Sequence, residues 1–289
     1  MPPDARLIIG VVLSGLLMGG VYALVSGGLS LIWGVLKVVN MAHGSFLMLS
    51  MYLVYWLWRL TGLDPLLTIP ITVTLFFLLG ICVQKGIIRH ILEASLVNQI
   101  FVTFGMWMLM NNLALMLWKA DFRTVSNPLV AGGFGIMGVR ISLPKLVSFA
   151  FSILATCTIW LFLQKTKIGI AIRAVAQDRK AAWLMGIDVN RIYEVSFGLG
   201  LAAVGLAGSL LANFFSVYPY VGDIFHIFAL TIVTLGGFGS ISGSFIAGLI
   251  IGLAEAVSAF INPALKYLVV FAIFLIILLL KPEGLREAL

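Results

Sequence analysis

From Leu7 to Leu36 the chain contains no charged residue, while Gly10, Gly15, Gly19, Gly20, Gly27 and Gly28 punctuate an otherwise apolar run. A helix needs ~20 residues to cross a hydrocarbon core ~30 Å thick, so this run is long enough to span a membrane. It is also too long for the ~7–15-residue core of a signal peptide. The glycines suit close helix-to-helix packing in lipid. Similar runs follow at Val38–Trp58, interrupted by Asn40 and His43, then at Pro65–Gln84, Ala94–Trp118, Leu146–Gln164 and Val195 to about Leu211. Beyond these, Phe225–Leu235 is apolar but short, Gly236–Ser240 breaks it, and Ile241–Ile261 and Leu265–Leu280 complete the series.

A soluble domain is roughly one-quarter charged; this chain of 289 residues is 62% hydrophobic and 10% charged. The expected fold is therefore all-α: a polytopic membrane helical bundle of eight or nine spans forming one domain over residues 1–289. Short loops join the spans, apart from an outer loop at about 119–142 and a cytoplasmic loop at about 165–192. The ninth crossing depends on Phe225–Leu235. If it crosses, the Lys281–Arg286 tail is cytoplasmic, which is the expectation here; if it is re-entrant, the tail lies outside.

The net charge of +7 comes from small clusters between apolar runs, which is a topology signal and not a nucleic-acid face. Lys165, Lys167, Arg173, Arg179, Lys180 and Arg191 outnumber Asp178 and Asp188 in one loop and place it in the cytoplasm. Alternation then puts Lys37 and the Lys85/Arg89 loop inside, with the amino terminus and the Lys119–Arg140 loop outside. In that outer loop, Ile136, Val139 and Ile141 alternate near Gly132, Gly133 and Gly135, a pattern for a small capping hairpin. The hairpin reads either as a docking surface for an external partner or as a plain connector.

Cys82 and Cys157 sit in apolar runs and read as small buried hydrophobes, with no metal-ligand spacing around them. No GxxxxGK(S/T) phosphate loop and no motif-positioned Ser/His/Asp set occurs, so no catalytic residue is expected and energy must come from another subunit.

The segment Gly169–Ile187 is too charged to span and too apolar to be a free linker. Ile172, Val175, Ala176, Ala181, Ala182 and Trp183 stand among its charges. Such a stretch forms a short helix on a surface, and Gly186 suits a left-handed cap. Two readings stand: an interfacial helix gripping lipid headgroups, or a coupling helix seated in another protein.

Lys180–Gly186 (KAAWLMG) resembles the glutamate-alanine-alanine, three residues, glycine loop of bacterial ABC-importer permeases, with Lys180 where that motif usually has Glu. Tyr22–Gly34 (YALVSGGLSLIWG) followed by Asn40–Gly44 (NMAHG) resembles the amino-terminal signature of branched-chain amino-acid importer permeases of the LivH type. Arg173–Asp178 with Gly186–Ile187 resembles the cytoplasmic loop of that family, and Pro219–Gly222 its outer turn. Leu235–Ser244, Gly252–Glu255 and Lys281–Gly284 complete a likeness that covers nearly the whole chain in order; Ser45 stands where the family usually has Glu.

The resemblance implies a permease subunit in a bacterial inner membrane, paired with a second homologous permease, two cytoplasmic ABC ATPases and an external substrate-binding protein. ATP is used by those ATPases, and this chain binds no cofactor. Arg173, Asp178, Ala181, Ala182 and Gly186 become the expected ATPase-coupling residues. A urea or short-amide permease is the nearest alternative, and a stand-alone ion-coupled carrier a more distant one. The carrier would need a buried acid, for which Glu255 is the candidate.

A zwitterionic solute needs polar partners at depth, and helix breaks provide them through free N–H and C=O groups. Two breaks qualify: Asn40–Gly44 before the second span and Gly236–Ser240 before the Ile241 span. The expected path residues are accordingly Asn40, His43, Gly44, Gly236, Gly237 and Ser240. Packing explains the second break, and interhelical bonding explains His43, about as well. Asn98, Gln99, Thr103, Asn111 and Asn112 spread over more than one face of the fourth span, where they could line a path or tie helices together.

Overall fold

The structure is a computed structural model describing residues 3–126, 128–136 and 139–280. Its elements in order are α1 (Pro3–Leu36), α2 (His43–Thr61), α3 (Ile69–Val83), a π-helical turn (Gln84–Ile88), α4 (Arg89–Ile91) and α5 (Leu96–Trp118). The hairpin β1 (Gly133–Ile136) and β2 (Val139–Ser142) follows, then α6 (Leu143–Lys165), α7 (Lys167–Gln177) and α8 (Arg179–Leu184). The chain continues through α9 (Val189–Leu211), α10 (Val221–Gly236), α11 (Ile241–Ile261) and α12 (Leu265–Leu280).

Glycine sets the packing. A Cβ on Gly15 would come 2.8 Å from the Gly252 carbonyl oxygen, and one on Gly19 2.7 Å from that of Gly248, so α1 and α11 run antiparallel with their backbones nearly touching. Gly28 of α1 and Gly200 of α9 approach each other in the same reciprocal way. α9 is buried along most of its length, whereas α5 and much of α6 turn large apolar side chains outward, as Phe101, Leu109, Met116 and Leu154 do. In lipid those exposed faces cost nothing, because chain and solvent are equally apolar.

Two groups of three helices repeat in the same order. α1 is followed by the irregular segment 37–42 and then by α2, which begins level with Val25 of α1: His43 Nε2 lies 3.0 Å from the Val25 carbonyl oxygen. At ~3.3 Å per extended residue, 37–42 can climb back ~20 Å, comparable to the ~16 Å of helix between Val25 and Leu36. In the second half, α9 is followed by 212–220 and then by α10, whose start meets the start of α2. The most extensive contacts of the bundle, α1 on α11 and α3 on α9, exchange with each other under the same correspondence. Hence α1–α3 matches α9–α11, an arrangement that the sequences of the two halves do not reveal.

Two expectations change. Among the described residues, six helices are long and apolar enough to cross a membrane, fewer than the eight or nine expected: Arg6–Leu36, Ile69–Ile91, Leu96–Trp118, Leu143–Lys165, Val189–Leu211 and Ile241–Ile261. α2 has the length, but its His, Ser, Tyr and Trp content dilutes its apolarity, and α10 and α12 are short. Secondly, the chain enters the bundle directly after the Pro219–Gly222 turn: Val217 and Tyr218 still meet Arg123 and Phe122 of the outer loop, whereas Gly222 packs on Gly44 at the start of α2.

The outer hairpin forms as the alternation predicts, Phe134 pairing with Ile141 and Gly135 with Arg140. It rests on α1 at Gly10, and Asp64 accepts the Leu129 N–H at 2.6 Å. Arg123 stacks on Tyr55 and Trp56 and donates to the Trp118 carbonyl, and its backbone bridges to Val217. The Lys281–Arg286 tail lies outside the described residues.

Candidate functional site

α2 and α10 start at the same place and run apart. Gly44 and Gly222 form the crossing: a Cβ on either would overlap the carbonyl oxygen of the other, so only glycine lets the two helix N-termini come this close. Neither N-cap residue, Ala42 or Tyr220, supplies a capping side chain. Both helix dipoles thus point their positive ends at one buried spot.

The polar side chains around the crossing form a chain. Ser45 Oγ donates to Asn111 Oδ1 at 2.8 Å, and Asn111 Nδ2 donates to Asp223 Oδ1 at 3.1 Å. Trp107 Nε1 donates to the same oxygen at 2.7 Å. Among the described residues no cation pairs with Asp223 and nothing binds its Oδ2. A cavity of about 290 Å³ lies beside it, lined by Met41, Phe104, Trp107, Asp223, His226 and Ile227. His226 is 9% exposed, yet neither ring nitrogen has a hydrogen-bond partner.

Of the expected path residues, Asn40, His43 and Gly44 are buried at this crossing. Asn40 Oδ1 accepts the Ala42 N–H at 3.1 Å and fixes the turn into α2. His43 ties α2 to the Val25 carbonyl, the interhelical bond that packing alone would ask for. Gly236, Gly237 and Ser240 lie elsewhere. Gly236 packs on Gly243, Gly239 packs on Gly34, and Gly237 and Gly239 adopt positive φ of 91° and 85°. Ser240 caps α11 by accepting the Gly243 N–H at 3.0 Å. The groove beside this break is lined mainly by apolar side chains, including Trp160, Ile241 and Phe245. The two breaks therefore do not converge.

The α5 residues divide by face. Gln99, Thr103 and Asn111 are buried, with Thr103 donating to the Val39 carbonyl at 2.9 Å, while Asn98 and Asn112 face outward. Glu255 pairs with Lys266 at 2.6 Å, so its charge is neutralised within the protein. Asp223, Trp107 and His226 escaped the sequence reading. The available signal was an acid one residue after the Pro219–Gly222 turn, with His226 three residues further along the same helix face.

The segment from Thr166 to Ile187 is built by caps. Thr166 accepts the Gly169 N–H at 2.9 Å to start α7, which buries Gly169, Ile172 and Val175. Asp178 accepts the Lys180 and Ala181 N–H groups at 2.8 and 3.0 Å to start α8. Those bonds, the Ala181 one foremost, hold its carboxyl below the ordinary carboxylate range. Gly186 ends α8 at φ 83°, with Gly186 N–H to Trp183 carbonyl and Ile187 N–H to Ala182 carbonyl, the paired bonds of a Schellman cap. Ala182 is buried and Ala181 exposed. Trp183, Leu184 and Met185 stand 67%, 76% and 82% exposed beside a cavity of about 470 Å³ that also takes in Arg89, Glu93, Arg179 and Lys180. Arg173 is half-buried, its Nε without a partner among the described residues. An apolar tip ringed by charge suits a protein socket better than open water.

Comparison with known proteins bears on both regions. Residues 11–278 match the family described as branched-chain amino acid transport system / permease component. The chain is 29% identical to the high-affinity branched-chain amino acid transport system permease protein LivH of Salmonella typhimurium, over 94% of this chain and 92% of that protein. It is 31% identical to the corresponding permease protein BraD of Pseudomonas aeruginosa, over 94% and 93%. Among solved structures, PsaBC from Streptococcus pneumoniae in complex with Fab shares the fold, with a TM-score of 0.52 at 16% identity over 93% of this chain and 91% of that one.

Proposed function

The chain belongs to the branched-chain amino acid transport system permease family, and from that premise we propose that it forms the membrane path for branched-chain amino acids in an ATP-driven importer. It is a multi-pass membrane protein and a transport subunit, not an enzyme. The observation that carries the reading is the pairing of two features in one family member. A capped, rigid α7–α8 segment presents Trp183, Leu184 and Met185 to a partner, and a polar helix crossing lies within the bundle.

In this reading the bundle crosses an inner membrane nine times. Segment 37–42 with α2, 212–220 with α10, and α12 add three crossings to the six long helices, with the amino terminus outside. A second permease subunit covers the exposed α5 face, so the path runs between the two subunits past Asn40, His43 and Gly44. Gly236, Gly237 and Ser240 form its inner-side packing hinge. Two cytoplasmic ATPases seat the segment Arg173, Asp178, Ala181, Ala182 and Gly186, and an external binding protein delivers substrate onto the outer hairpin. Closure of the ATPases pushes α7–α8, and because Ile172 and Val175 are buried against the bundle, the push moves helices and not a loose loop. The chain supplies the path and the lever; ATP is consumed by its partners.

The test is reconstitution. The chain, co-expressed with its ATPases and second permease in proteoliposomes with the binding protein outside, should take up leucine only when ATP is inside. Uptake without ATPases, or ATP-driven uptake of urea in preference to leucine, would overturn the proposal.

A further inference from the structure

The cavity at the α2/α10 crossing holds two groups with hydrogen-bonding capacity left over among the described residues, and they differ in chemistry. Asp223 presents a free carboxylate oxygen, and nine-tenths-buried His226 presents two unpaired ring nitrogens. They stand three residues apart on α10 and line the same cavity, so their side chains are neighbours on one face. A carboxylate inside an apolar span is costly unless something answers its charge. Here the described residues supply two hydrogen bonds and a helix N-terminus but no cation. The missing cation and the missing acceptor for a His N–H are the two ends of one zwitterion.

Resting on the function proposed above, we propose that Asp223 and His226 form the recognition pair for the backbone of the amino acid in transit. The Asp223 carboxylate takes the α-ammonium group, and the N–H of neutral His226 donates to the α-carboxylate. Trp107 and Asn111 are positioning residues that hold Asp223 Oδ1 and leave Oδ2 toward the cavity. Met41, Phe104 and Ile227 give the side chain an apolar wall, so the pair selects for the amino-acid backbone and the wall for an aliphatic side chain.

The experiment uses the full complex in proteoliposomes and compares Asp223→Asn, His226→Gln and Trp107→Phe with wild type. The Asn side chain keeps an oxygen for Trp107 and Asn111 but loses the charge; Phe at position 107 keeps the charge but loses a bond. ATP-driven leucine uptake per co-purified complex is expected to fall more than tenfold in Asp223→Asn, severalfold in His226→Gln, and least in Trp107→Phe. A purely structural carboxylate gives the opposite order, with Trp107→Phe the most damaged. That order, or uptake within twofold of wild type in Asp223→Asn, overturns the pair. So does failure of Asp223→Asn to assemble with the ATPases. If wild type itself shows no ATP-dependent leucine uptake, the importer reading fails instead, and the two failures are told apart.

Discussion

Two helix breaks, Asn40–Gly44 before α2 and Gly236–Ser240 before α11, look alike in sequence and differ in space. Both contain glycine, both precede an apolar helix, and both bring backbones into contact. At the first, the partner is a second helix start, and the contact leaves Asp223 and His226 beside a cavity with polar groups unspent. At the second, Gly236 faces Gly243, Gly34 faces Gly239, Ser240 caps its own helix, and the groove alongside is apolar. The first break leaves an acid and an imidazole beside a cavity; the second, where Ser244 Oγ, unpartnered among the described residues, is enclosed next to Gly236, is spent on backbone packing.

The comparison is broken most severely by filling the first crossing. Gly222→Leu would place a side chain where the Gly44 carbonyl lies, and overpacking of this kind costs ~1–3 kcal/mol or more. The expected result is little or no assembled complex on size-exclusion chromatography.

Next comes the lever, which lies away from both breaks. Gly186→Leu puts a side chain at φ 83°, a left-handed conformation costing ~1–2 kcal/mol, and unwinds the cap of α8. Assembly should persist while leucine taken up per ATP hydrolysed falls severalfold; an unchanged ratio would show that α8 does not couple.

Ser240→Ala sharpens the contrast from the other side. Loss of the α11 cap costs ~1 kcal/mol, seen as a melting temperature lower by a few degrees, while uptake per assembled complex and KM stay at wild-type values. A raised KM would return Ser240 to the substrate path.

The smallest effect is at Asp178, which is fully exposed. Its folded pKa is lowered, so its cap contributes above the unfolded carboxylate value of about 3.9 and is lost only as pH falls through the lower folded value. The protection of the Lys180 and Ala181 amides, taken relative to the intrinsic exchange rate at each pH, should therefore be constant from neutral pH down to the ordinary carboxylate range and fall below it, and Asp178→Ala should abolish that dependence.

Much of this was legible in the sequence because it is local. Charge-free runs give helices, the alternation at Val139 and Ile141 gives the hairpin, and Gly186 ends α8 in the left-handed conformation expected of it, although the one helix expected there is two, split at the Asp178 cap. Depth was not legible. Nothing in Asn213–Tyr220 states that the chain dives back into the bundle before α10 begins, so the apolar run is taken to start at Phe225 and Asp223 is passed over. The pairing of Gly44 with Gly222 is a tertiary fact between residues far apart in the chain, and the repeat that produces it is carried by helix order and not by residue identity. For the same reason Glu255 looked like the intramembrane acid to watch, although Lys266 already neutralises it.

The most direct test puts one reporter at each break. In a Cys82→Ala/Cys157→Ala background, Met41→Cys lines the cavity and Phe238→Cys sits at the second break. Labelling by a water-soluble thiol reagent is measured in the full complex with and without leucine during ATP-driven turnover. Met41→Cys should label and leucine should slow that labelling severalfold, with Phe238→Cys indifferent to leucine. Leucine protection at Phe238→Cys with none at Met41→Cys would contradict it.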